Sequence, residues 1–85
     1  ESPKPHINRI KPKSIKVNVQ SMVSVMGQNF VNGAKAFIDG SEVLTTFKSN
    51  MLVVIDFILN NVGVHELKVQ NPDEKESNTI KIMAN

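Results

Sequence analysis

Met51-Leu52-Val53-Val54-Ile55-Asp56-Phe57-Ile58-Leu59 is the most apolar run of the chain, and whether it is helix or strand decides the fold. Val53, Val54, Ile55 and Ile58 are β-branched and would lose χ1 freedom against the preceding turn of a helix. Ser49-Asn50 before the run and Asn60-Asn61 after it are turn formers, so the run has strand length. Asp56 sets the register. With its carboxylate in water, period two sends Val53, Ile55 and Phe57 to the core and Leu52 and Val54 to the opposite face.

The same alternation extends to both sides of this run. C-terminal to it, Leu67 and Val69 alternate with Glu66 and Lys68 between Val64 and Gln70, and Ile80 and Ile82 flank Lys81 between Thr79 and Met83. Asn71-Pro72-Asp73 starts a polar hairpin connection between those two strands, because Pro72 presets φ for a turn. N-terminal to it, the pattern alternates from Val17 onward, with Val23 and Val25 on one face and Met22, Ser24 and Met26 on the other. Gly27 ends that strand. Asn32-Gly33 opens a short strand from Ala34 to Ile38, which Asp39-Gly40 closes, and Val43 to Phe47 is a further extended piece. Pro3, Pro5 and Pro12 keep the first dozen residues extended, with Ile7 and Ile10 as core anchors on a first edge strand. About seven short strands, regular turns and no helix predict an all-β, immunoglobulin-like sandwich.

Length and composition narrow what such a domain does. A chain of 85 residues is one small domain, burying roughly 60% of its unfolded surface. With no cysteine, its core must offset chain entropy without a disulfide. Residues 1–4 read as a linker and residues 5–85 as a single domain cut from a larger protein. No run approaches the roughly 20 apolar residues of a membrane span, so this segment is not expected to insert into a membrane. Charge is uneven. Residues 1–38 carry six cations and one acid, a net of +5, while residues 39–85 carry four cations and seven acids, a net of −3. A solvated basic linker and first strand explain this without nucleic acid, which would require a denser stripe and aromatics for base stacking.

The motifs Gly27-Gln28-Asn29-Phe30 and Val69-Gln70-Asn71-Pro72-Asp73, the latter followed by Ser77-Asn78, carry a family resemblance together with Pro5-His6-Ile7 and Ile10-Lys11-Pro12. They resemble the IPT/TIG family of immunoglobulin-like (E-set type) domains over nearly the whole chain, roughly Pro5 to Ile82. The resemblance implies that Gly27 allows a tight exit from its strand while Phe30 plugs the end of the sandwich. Two positions depart from the family. Glu74 stands where a glycine is common, so the last hairpin is expected to use another turn geometry. His65 stands where an aromatic residue is common, and its expected role is structural.

The resemblance also bounds function. Domains of this family serve as spacers, as protein-contact surfaces, as parts of transcription factors and as accessory modules of polysaccharide-acting enzymes. No nucleophile, metal set or phosphate-cradling glycine loop is present, so neither catalytic residues nor a cofactor is expected. Asn71, Asp73, Glu74 and Glu76 gather oxygen atoms in one loop, but without the spacing or glycine of an EF-hand. The expected contact surface is apolar. Met22, Met26, Leu52 and Val54 project outward from two strands that neighbour one another in such a sandwich, forming one patch. Phe37 projects from a different strand as a separate aromatic contact. The implied function is a non-catalytic spacer or protein-interaction domain of a bacterial cell-surface or envelope protein, outside the cell or in the periplasm. Its partners would be neighbouring domains of the same chain or another protein. A polysaccharide-binding accessory module is the alternative, and a dimerisation or DNA-contact domain of a transcription factor is the third reading.

Overall fold

In the computed structural model, which describes residues 3–85, the apolar run is a strand over Leu52–Phe57, shorter than the run at both ends, and its neighbours pair as the alternation requires. Glu1 and Ser2, half of the expected linker, lie outside the described residues. The strands are β1 (His6–Lys11), β2 (Ser14–Ile15), β3 (Ser21–Gln28), β4 (Lys35–Ile38), β5 (Ser41–Ser49), β6 (Leu52–Phe57), β7 (Gly63–Gln70) and β8 (Ile80–Ala84). The eighth, beyond the seven expected, is the two-residue β2, too short to show any alternation in sequence. It runs parallel to β8, and the ladder continues through Val17 N–H to Asn85 C=O at 2.9 Å.

Hydrogen bonding links the strands in the order β1-β3-β6-β5-β4-β7-β8-β2, which folds over at β5 into two facing layers. Ser41 to Val43 of β5 pair with β4, whereas Leu44 to Ser49 pair with β6. Thr45 stands at that crossing. Its Oγ1 accepts the Ala36 N–H at 2.9 Å, supplying the acceptor that a departing strand would otherwise withdraw.

The core lies between the layers. Val23, Val25, Val53, Ile55, Leu67, Val69 and Ile82 are fully buried, alternating with exposed or half-buried neighbours as period two dictates. Ile7 and Ile10 are both buried, although their spacing puts them on opposite faces of a regular strand. A bulge at Asn8 resolves this, because the ladder steps from Ile7↔Gly27 to Arg9↔Met26 and the extra residue resets the alternation.

Between Val17 and Gln20 the chain departs from expectation. The alternating pattern begins at Val17, but that segment is a turn with Asn18 at φ 61°, and β3 begins only at Ser21. Asn18 is a residue that tolerates this left-handed backbone, and its N–H donates to Leu59 C=O at 2.7 Å.

Gly27 and Phe30 occupy the places the resemblance implies. A Cβ on Gly27 would lie 1.9 Å from the His6 carbonyl oxygen and 2.9 Å from the Phe30 ring, so only glycine fits between β1 and the plug. Phe30 itself is 2% exposed.

Candidate functional site

Asparagine and serine side chains tie the loops to the sandwich, and they define which surfaces are fixed. Asn71, 2% exposed, accepts the Val31 N–H through Oδ1 at 3.2 Å and donates Nδ2 to the Asn29 carbonyl at 2.8 Å. One amide therefore anchors the loop between β3 and β4 to the end of β7. Asn78 acts alike across the open side of the sandwich. Its Oδ1 accepts Ile7 N–H at 2.7 Å and its Nδ2 donates to Ile7 C=O at 3.1 Å, as a pairing strand would. Ser77 bonds Val69 main chain both ways, each at 2.8 Å, so the Ser77-Asn78 pair joins β7 to β1.

These bonds also bear on the oxygen-rich loop. The Asn71 amide is taken up by the fold, and Glu76 pairs with Lys68 at 3.1 Å. No group of three or more metal-ligating side chains occurs among the described residues. Glu74 corrects the expectation of a different turn. Its φ is 71°, so the hairpin keeps the left-handed position that glycine favours, with a glutamate bearing the steric cost. The Glu74 N–H closes the turn on Asn71 C=O at 2.9 Å.

His65, 8% exposed, is held from both sides. Nδ1 lies 2.5 Å from Asp39 Oδ2, and Nε2 lies 2.8 Å from the Asn61 carbonyl. Both neighbours are acceptors, so only the doubly protonated ring donates to both. The Asn61 carbonyl first and the Asp39 carboxylate second raise the His65 pKa above 6.5, against the opposing effect of burial. The Glu66 N–H and then the imidazole lower Asp39 below 3.8. This pair staples the β4–β5 turn and the loop before β7. Both ring nitrogens are thus taken up by acceptors, a structural arrangement.

Of the expected patch residues, Met26, Leu52 and Val54 adjoin one another on the outer face of the layer β1-β3-β6-β5, and Met22 lies on that face beyond Ser24 and beside Asp56. Met26 faces Leu52 across the ladder, Ser24 faces Val54, and Met22 faces Asp56. Met26, Leu52 and Val54 are half-buried, while Met22 is 64% exposed. Leu44, overlooked in the sequence, belongs to the same face: it pairs with Asp56 from the other side and is 68% exposed. The signal was available, since inward Val43, Thr45 and Phe47 place Leu44 outward. Arg9 and Lys11 of β1 flank Met26 and Ser24, giving the apolar centre a basic border.

Phe37 lies apart from this face, on the outer side of the other layer. It is half-buried, with Glu42 and Lys68 as cross-strand neighbours. A cleft of about 370 Å³ opens beside the ring, walled by Lys35, Glu42, Gln70 and Glu74.

Two facing layers with a strand that passes between them, and loops tied by asparagine, define an immunoglobulin-like module of a generally non-catalytic kind. The chain belongs to the IPT/TIG domain family, which it matches over residues 5–82. A search of curated proteins gave no match. Among solved structures, it is similar to a part of the gamma-CGTase of alkalophilic Bacillus clarkii, with TM-score 0.84 and 18% identity over 95% of this chain and 12% of that one. An auxiliary nutrient binding protein from Bacteroides ovatus is similar at TM-score 0.66 and 16% identity, over 98% of this chain and 21% of that one. The Lin-41 filamin domain matches at TM-score 0.64 and 16% identity, over 91% and 90% of the two chains. At such identities the likeness concerns the fold. This chain spans about an eighth of the gamma-CGTase and a fifth of the nutrient binding protein. No helix among the described residues is long and apolar enough to cross a membrane.

Proposed function

We propose that this domain is a non-catalytic spacer and contact module within a larger extracellular or envelope protein, and that its outer β1-β3-β6-β5 face packs against a neighbouring module of the same chain. The observation that carries this reading is the apolar centre of that face. Met26 and Leu52 are direct cross-strand partners beside Val54, and Met22 and Leu44 stand out beyond them. Contiguous apolar surface of this kind marks contact sites. The path of the chain supports the spacing role. Lys4 C=O accepts from Asn29 beyond one end of β3, whereas Asn85 C=O accepts from Val17 before the other end. The described chain thus enters beside one end of β3 and leaves beside the other. Structural relatives in which the matching part is a small fraction of the whole, as in the gamma-CGTase, support a neighbour in the same chain.

Replacing both Leu52 and Val54 with threonine tests this in the full-length parent. The domain keeps its fold, because neither side chain points into the core. Small-angle scattering then shows a broader distribution of interdomain distances. Unchanged interdomain order would remove the proposal.

Phe37 favours the second reading, a polysaccharide-binding accessory module, because its ring and the carboxylate and amide groups around the adjoining cleft offer both stacking and hydrogen bonds to a sugar. Loss of oligosaccharide binding in Phe37→Ala, with the outer-face variant unaffected, would favour it over the first.

A further inference from the structure

The open side of the sandwich, between β1 and β8, has the three features that an extended acidic peptide requires. The first is a short unpaired edge at Lys81, bounded at one end by the Asn78–Ile7 bonds and at the other by β2. Met83 N–H donates to Lys13 C=O at 3.1 Å and Asn85 N–H to Ile15 C=O at 2.8 Å, so alternate residues of β8 turn their main chain toward β2. By the same alternation Lys81 turns its N–H and C=O to that side, where β2, only two residues long, no longer runs beside it. The second is a cleft of about 450 Å³ with Ile10 and Ile80 in its lining, a volume in the range of ligand-binding clefts. The third is charge. Arg9, Lys13 and Lys81 line this cleft and are exposed, and none of them makes an ion pair among the described residues. Glu66 faces Lys81 across the β7–β8 ladder without closing a salt bridge.

The geometry points to strand addition: an extended segment carrying alternate acidic residues pairs with the Lys81 edge of β8, its carboxylates meeting Arg9, Lys13 and Lys81. Main-chain hydrogen bonds give such complexes affinity, and side chains at every second position give them specificity. Edge lysines discourage neutral or basic strands from pairing there. That selects an acidic occupant. Nucleic acid is disfavoured because no aromatic side chain lines the cleft for base stacking. This site uses none of the outer apolar side chains and not Phe37, and it shares only Arg9 with the border of that face, so protection of the Lys81 N–H tests it separately from the proposed function.

The test is a titration of the isotope-labelled chain, at low ionic strength, with a capped peptide Glu-Val-Glu-Val-Glu. Amide shifts are expected at residues 8–11, at Lys13 and at residues 79–83, with slowed hydrogen exchange at Lys81 N–H. Arg9→Gln combined with Lys81→Gln weakens binding roughly tenfold, from two lost charge contacts, while Lys48→Gln has no effect. N-methylation of the peptide backbone abolishes binding although its charge is unchanged. Equal binding of the methylated peptide, equal weakening by Lys48→Gln, or absence of shifts at these residues overturns strand addition. A single-stranded oligonucleotide that moves the same amides more strongly than the peptide overturns the choice of partner.

Discussion

Replacing Asn71 tests whether one buried amide holds the β3–β4 loop to the body. Asn71→Ala removes the acceptor for Val31 N–H and the donor for Asn29 C=O, and both main-chain groups lose their partner. Each such orphan costs about 1–3 kcal/mol when buried. Water reaching the loop lowers the sum, because Val31 is exposed and Asn29 half-exposed. The expected loss is about 2–4 kcal/mol, large against the roughly 4–13 kcal/mol of a domain this size. Asn71→Asp is the sharper variant. Its carboxylate keeps an acceptor for Val31 but sets a negative oxygen against the Asn29 carbonyl, where the amide donates at 2.8 Å. At neutral pH it therefore loses more than Asn71→Ala. On acidification it recovers, since the protonated carboxyl donates to Asn29 and its folded pKa is raised. The chain has no tryptophan or tyrosine, so urea unfolding is followed by far-ultraviolet circular dichroism. Midpoints of both variants equal to that of the parent, or an Asn71→Asp midpoint above that of Asn71→Ala at neutral pH, would refute the reasoning.

Gly27→Ala forces a methyl group to within 1.9 Å of the His6 carbonyl, so β1 must separate from β3; a loss of about 3 kcal/mol or more is expected, with faster hydrogen exchange along β1 as the readout. Glu74→Gly removes a left-handed glutamate that makes the turn at φ 71°; relief of about 1–2 kcal/mol less the added chain entropy leaves a gain of up to about 1 kcal/mol, visible as a higher melting temperature. The His65–Asp39 staple makes stability depend on pH. Because the folded His65 pKa is raised, its contribution is complete below 6.5 and fades as pH rises through the folded value. Because the folded Asp39 pKa is lowered, its contribution holds above 3.8 and fades as pH falls through the folded value. Asp39→Asn, which tolerates the same positive φ, should flatten the alkaline loss in urea midpoint, and an unchanged pH profile would count against the staple.

Short-range pattern alone determines much of this protein. The β-branched run from Met51 to Leu59, with one outward aspartate, specifies strand and register together, because side chains alternate strictly along a strand. The inward residues of β3, β6 and β7 follow from the same rule, as does the outward direction of Met22, Met26, Leu52 and Val54. The places of Gly27 and Phe30 are legible only through the family resemblance their motif carries, and alternation does not show them. His65 reads as structural, but nothing local shows what it bonds to.

Tertiary structure decides whatever depends on partners distant in sequence. Asn78 meets Ile7, Asn71 meets Asn29 and Val31, and His65 meets Asp39, each across an interval that no periodic pattern spans. The bulge at Asn8 and the passage of β5 between layers are hidden in the sequence too, because each is set by the strand alongside rather than by the residues themselves. The uneven charge is visible in the sequence, yet only the fold carries Lys81, from the acidic half, into one cleft with Arg9 and Lys13. Alternation fixes which way a side chain points, and long-range packing fixes what it meets.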